Sequence, residues 1–166
     1  MALAFTLPDT DGNPTPLHVD GAPAAVVVFT CNHCPYALAW HERIQAVARD
    51  YADRGVRVLQ INANDSVKYP RDSVAAMKAR VDAGEFAGPY LHDETQEVAR
   101  TWGAKTTPDV FVTDASGVVY RGAPDADHGD PSLDAAWLRA ALDDVLAGRP
   151  VANPETEPVG CSIKWR

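Results

Sequence analysis

Ala24-Ala25-Val26-Val27-Val28-Phe29-Thr30-Cys31-Asn32-His33-Cys34-Pro35-Tyr36 is the stretch on which the fold turns. Its first six residues are continuously apolar and rich in β-branched side chains. That composition marks a strand buried on both faces. Two cysteines follow at once, and Pro35 then opens a segment of helical pattern. Leu38, Ile44, Val47, Ala48 and Tyr51 approximate a helical stripe that runs to about Arg54, where Gly55 stops it. A thiol pair therefore sits at the junction between a central strand and a helix.

Working outward, Val56–Ala63 reads as a second strand of partly alternating pattern. Asp72 to about Ala83 and Gln96–Trp102 read as helices. Asp109–Thr113, entered through Pro108, is a third long strand. Asp114-Ala115-Ser116-Gly117 turns it back into Val118–Arg121 as a hairpin. Asp134–Ala147 is the last helix, with Gly148 as its stop. Ahead of the first strand, Asp11-Gly12-Asn13 is a tight turn between two short extended pieces. Strands alternating with helices predict an α/β fold with a parallel core sheet covered on both faces and an antiparallel edge from the final hairpin. Functional loops in such sheets lie at the carboxyl ends of the strands, where the cysteine pair falls. One domain over 1–148, with a hairpin-like N-terminal extension, is expected. An extended surface tail over 149–166 carries Pro150, Pro154 and Pro158 and ends in Gly160-Cys161-Ser162-Ile163-Lys164-Trp165. Ile163 and Trp165 are placed to anchor it as a short strand.

Composition narrows the function. The chain has 166 residues, 46% of them apolar, which suits one globular domain. Its 23 acidic and 15 basic residues give a formal charge of −8, which points away from nucleic acid and from an anionic membrane surface. No apolar run approaches the roughly 20 residues of a membrane span. The stretch Met1–Thr6 has no basic n-region and no long apolar h-region, so a cytoplasmic location is expected. Three cysteines do not make a secreted disulfide framework. A zinc site would need four ligands, and a second Cys-x-x-Cys is absent; His33, His41 and Cys161 would have to be assembled by the fold. Neither a metal nor another cofactor is expected.

Strand, Cys-x-x-Cys, helix, strand, Thr107-Pro108 entering a hairpin and a closing helix together resemble the thioredoxin fold. The opening Pro8-Asp9-Thr10-Asp11-Gly12-Asn13 resembles the peroxiredoxin-like branch, of the alkyl hydroperoxide reductase and thiol-specific antioxidant type. Cys31-Asn32-His33-Cys34-Pro35-Tyr36 and the terminal Gly160–Trp165 are similar to an uncharacterised bacterial thioredoxin-like family. The likeness implies a central mixed sheet with helices on both faces. It further implies that Thr107–Pro108 is a cis bond beside the thiols. Pro108 would keep the strand edge free for a substrate backbone, and Thr107 would supply main-chain hydrogen bonds.

The residues themselves point to thiol chemistry. A thiolate is the reactive species, and a helix N-terminus stabilises it. A second thiol nearby can resolve a mixed disulfide, and His33, when protonated, favours the thiolate. The residue before proline avoids helical dihedrals, and proline suits the first helical position. Both place Cys34 at the helix N-cap. Cys34 also stands at the distance from Phe29 at which thioredoxins carry their nucleophile, and peroxiredoxins carry Cys-Pro there. Where peroxiredoxins have a threonine three residues earlier this chain has Cys31, and their upstream proline is missing, which weighs against strong peroxidase activity. Thioredoxin's buried strand acid is also missing, with Ala25 and Val28 at the candidate positions, so proton transfer falls to His33 or water.

The expected activity is thiol–disulfide exchange, with Cys34 attacking and Cys31 resolving, supported by His33, Pro35, Thr107 and Pro108. Cys161 is a candidate second resolving thiol, as C-terminal cysteines are in some peroxiredoxins. The expected partners are a disulfide-containing protein or a small thiol or peroxide substrate, and a reductant such as a thioredoxin-type system. The alternatives are a thiol peroxidase with a sulfenic acid on Cys34, and a non-catalytic binding module on the same scaffold. Trp40 and Tyr36 are expected to pack rather than to touch substrate. His18, His92 and His128 read as surface or turn residues, and Lys105 and Arg121 as solvated.

Overall fold

The computed structural model describes residues 3–166, so Met1 and Ala2 of the N-terminal stretch lie outside it. The apolar run forms strand β3, Ala25–Thr30, buried along its whole length. Alternation explains why it has no polar face. Val26 and Val28 point into one core, and Ala25, Val27 and Phe29 into the other. Each fully buried valine contributes on the order of 1.5–3 kcal/mol relative to exposure.

β3 lies at the centre of a five-stranded sheet. On one side it runs parallel to β4, Arg57–Asn62, which is parallel to β5, Tyr90–His92. On the other side it runs antiparallel to β7, Asp109–Asp114, which turns back into β8, Gly117–Gly122. The sheet is therefore mixed, with the hairpin seated directly against the central strand. β5 has only three residues, too few to show a pattern, and it takes His92 into the interior instead of leaving it at a turn.

Helix α1, Pro35–Ala52, and helix α4, Ala136–Leu146, cover one face. Trp40, Ile44, Val47 and Tyr51 from α1 meet Leu138, Ala141 and Leu142 from α4 over Val26 and Val28. A buried ion pair ties this layer together. Arg43 holds Asp125 at 3.0 Å, while Trp40 Nε1 and the Ala135 amide also donate to that carboxylate. Gly55, at φ +80, ends the turn after α1 in a left-handed conformation that other residues resist.

The other face is covered by the short helix α3, Glu97–Trp102, and the N-terminal hairpin of β1, Thr6–Pro8, and β2, Pro14–Pro16. Helix α2, Val74–Asp82, begins later than its pattern suggested. Ser73 caps it, accepting from the Ala76 amide at 3.2 Å, and Asp72 instead ends a 3-10 turn, Pro70–Asp72. Among the described residues no helix is long and apolar enough to cross a membrane.

The C-terminal segment is irregular and nowhere buried over 149–160, and its end docks on the domain as a short strand. Cys161–Ser162 forms strand β9, antiparallel to β6, Thr106–Thr107, and Ile163 is buried in the same core as Phe29 and Trp102. Ile163 supplies the anchor; Trp165 stays partly exposed beneath the Arg100 guanidinium, 4.8 Å away.

Candidate active site

Cys34 is the N-cap of α1. Its backbone is extended, at φ −74 and ψ 125, and Pro35 takes the first helical position. The proline forces this start, because it removes helical dihedrals from the residue before it. Cys31 lies just beyond the end of β3. Both thiols are buried, and with Ala37 they form a small cluster against which Tyr36 and Cys161 pack. All three cysteines are free thiols here.

Thr107 faces the pair from the opposite strand. Its peptide bond to Pro108 is cis. The Cys34 sulfur lies 3.2 Å from the Thr107 carbonyl, and the Cys31 sulfur 3.5 Å from the Thr107 hydroxyl. The edge that Pro108 was expected to keep free is occupied, because Thr107 pairs with Cys161 in register.

The two thiols are shifted in opposite directions. A hydrogen bond from Cys31 is the chief influence lowering Cys34 below the ordinary thiol range, and it outweighs burial. Cys161, the Ala37 backbone and the Thr107 hydroxyl act in the same direction. The Thr107 carbonyl, an acceptor, opposes them by favouring the protonated thiol. Cys34 is thus the most acidic of the three thiols. The same Cys31–Cys34 bond, reinforced by burial, pushes Cys31 up. Burial followed by the Cys34 sulfur raises Cys161 to about 11.

His33 does not stand alone. Its Nδ1 lies 2.6 Å from Asp72, a fully buried carboxylate, and its ring stacks on Tyr69 at 5.7 Å. Asp72 also accepts from the Asn32 amide at 2.7 Å, Asn62 at 3.0 Å and Asn64 at 3.1 Å. Asn32 is pinned in turn, its side-chain oxygen accepting from Tyr90 at 2.7 Å and Arg80 at 2.8 Å. The Cys31 sulfur, a His33 nitrogen and an Asp72 oxygen lie within 4.8 Å of one another. This polar network sits behind the Cys-x-x-Cys loop and fixes it.

Asp72, Asn32, Asn62, Asn64, Arg80 and Tyr90 are thus the site residues that sequence reasoning passed over. Asn62-Ala63-Asn64 gave a signal: two asparagines cluster at the carboxyl end of a strand. Asp72 gave none, lying in a turn-rich connection far along the chain. His41 plays no part with the thiols; its Nε2 meets the Glu85 carbonyl at 2.6 Å. Trp40 packs over the core as expected, and Tyr36 lies against His128 at 4.3 Å. Arg121 is not merely solvated, since it reaches the buried Asp109 at 3.3 Å.

A thiol pair at a strand-to-helix junction, facing a proline-led strand in this sheet order, defines a thioredoxin-like thiol oxidoreductase scaffold. More narrowly, the chain belongs to the AhpC/TSA family, whose model matches residues 1–121. It is 38% identical to a hypothetical protein from Sinorhizobium meliloti 1021, with 98% of this chain and 91% of that one covered and a TM-score of 0.91. An uncharacterized conserved protein from Geobacillus kaustophilus is 39% identical, with 98% and 89% covered and a TM-score of 0.90. The fold alone is shared with a putative thiol:disulfide interchange protein DsbE from Chlorobium tepidum. There the identity is 19%, with 86% and 93% covered and a TM-score of 0.67. Among curated proteins none matches this chain.

Proposed function

We propose that the protein is a thiol–disulfide oxidoreductase in which Cys34 attacks and Cys31 resolves. The observation that carries this reading is the geometry of the pair: Cys34 is the N-cap of α1, and the neighbouring Cys31 sulfur lies 3.5 Å from the Thr107 hydroxyl and beside the His33–Asp72 pair. The Cys34 thiolate attacks one sulfur of a substrate disulfide and expels the other as a thiolate. Cys31 then gives its proton to the His33–Asp72 pair and attacks Cys34. The Cys31–Cys34 disulfide forms and the second substrate thiolate leaves. An external dithiol, of the kind a thioredoxin-type system supplies, returns the pair to thiols. Three cysteines that do not make a secreted disulfide framework favour work in a reducing compartment such as the cytoplasm.

A second reading, thiol peroxidase, is favoured by one feature, a third thiol packed on the pair. Cys34 would take the terminal oxygen of a hydroperoxide as a sulfenic acid, releasing the alcohol. Cys161 or Cys31 would condense with it, releasing water. Turnover of a small aromatic disulfide and of a hydroperoxide by one sample, with dithiol as reductant, separates the readings. Disulfide turnover that Cys34→Ser abolishes is the expected result. A chain inert toward both would be a binding module.

A further inference from the structure

The residue whose carbonyl touches the Cys34 sulfur is the residue that β9 covers. Thr107 pairs with Cys161 and Thr106 with Ser162. An extended polypeptide presenting a disulfide to Cys34 would need that same edge, because adding a strand there brings its side chains against the thiolate. The C-terminal segment fits the edge closely. A Cβ on Gly160 would collide with the Thr107 carbonyl, so only glycine lets the backbones approach this far.

Beyond β9 the segment is firmly held. The Ile163 amide donates to the Lys105 carbonyl at 3.1 Å and its side chain is buried. The Lys164 amide donates to Asn64 at 2.9 Å, and its carbonyl accepts from the Asp65 amide at 2.8 Å and from Gln96 at 2.9 Å. Asn64 is also one of the donors to Asp72, so one side chain bridges the docked segment and the network behind the thiols.

We infer that the segment Gly160–Arg166 is a resident occupant of the substrate edge, with Cys161 standing where a substrate cysteine would. While it is docked, Cys34 serves low-molecular-weight disulfides, which need only side-chain movement to reach the sulfur. A polypeptide disulfide engages only after β9 lifts from β6. The inference rests on the reading of Cys34 as the attacking thiol, and it names the substrate class and the regulation of that site.

The test is trapping of Cys34, read by peptide mapping, with N-ethylmaleimide and with a polymer-linked maleimide on the full chain. The small probe should react much faster than the large one. Gly160→Val, which forces β9 from the edge, should shrink that ratio by about tenfold, equivalent to about 1.4 kcal/mol of lost pairing. Equal rates in the unmodified chain, or a ratio that Gly160→Val leaves unchanged, would overturn the inference. If Gly160→Val does not fold, the unmodified chain decides in urea. There the ratio should collapse before global unfolding, and a ratio persisting to that transition would count against it. Trapping reads access and needs no turnover, so a failure of the oxidoreductase reading shows separately, as an inert small-disulfide assay.

Discussion

The His33 ring nitrogen Nδ1 lies 2.6 Å from the buried Asp72 carboxylate, on the Cys31 side of the thiol pair. The pair thereby stands beside the thiol whose proton is hardest to remove. Asp72 lies at the end of the 3-10 turn Pro70–Asp72, whereas the central strand β3 carries no acid.

Asp72→Asn should slow the second step and spare the first. Loss of a positioned proton acceptor costs on the order of a hundredfold. A mixed disulfide with a small aromatic thiol should accumulate, while the rate of Cys34 alkylation stays close to that of the parent. Equal slowing of both steps would make Asp72 purely structural.

The pH dependence follows from the sign of the Cys34 shift. Its folded-state value is lowered, so the thiolate persists as pH falls below the ordinary thiol range. The alkylation rate of Cys34 should hold its plateau through neutral pH and fall only in acid. The ionised Cys34 also stabilises the reduced fold above the unfolded thiol value, and that contribution is lost as pH falls through the folded one. Cys31→Ala removes the chief lowering hydrogen bond and should move the alkylation midpoint upward. A midpoint unmoved by Cys31→Ala would show that the remaining donors, Cys161, the Ala37 amide and the Thr107 hydroxyl, set the acidity without Cys31.

Asp125→Ala should destabilise without touching the chemistry. It strips a buried arginine, Trp40 and the Ala135 amide of their acceptor. Removing one partner of such a pair costs about 3–5 kcal/mol. Urea unfolding should show the loss, with the Cys34 alkylation midpoint unchanged.

Cys161 should become linked to Cys34 when Cys31 is replaced. In Cys31→Ser treated with hydroperoxide, digestion without reductant should give a peptide pair joining Cys34 and Cys161, minus a pair of hydrogens. Overoxidised Cys34 with Cys161 still free would remove Cys161 from the chemistry.

Much of this was legible in the sequence because the signals are local. The run Ala24–Phe29 declares a strand buried on both faces, and Cys34-Pro35 declares a helix start through the proline's own stereochemistry. The docking of the tail was only half visible. Ile163 and Trp165 suggested anchoring, but nothing in one dimension says that Cys161 meets Thr107. The His33–Asp72 pair was invisible for the same reason, since the two are joined only when β4 and its following turn fold against the Cys-x-x-Cys loop. β5 escaped because three residues carry no period.

The division of labour between Cys34 and Cys31 is tested most directly by trapping on a Cys161→Ser background. Cys31→Ser, given a small aromatic disulfide, should accumulate a stable mixed disulfide on Cys34, seen by intact mass and peptide mapping. Cys34→Ser should form none at comparable rate. An adduct that builds up on Cys31 in Cys34→Ser, with Cys31→Ser left unmodified, would contradict the account.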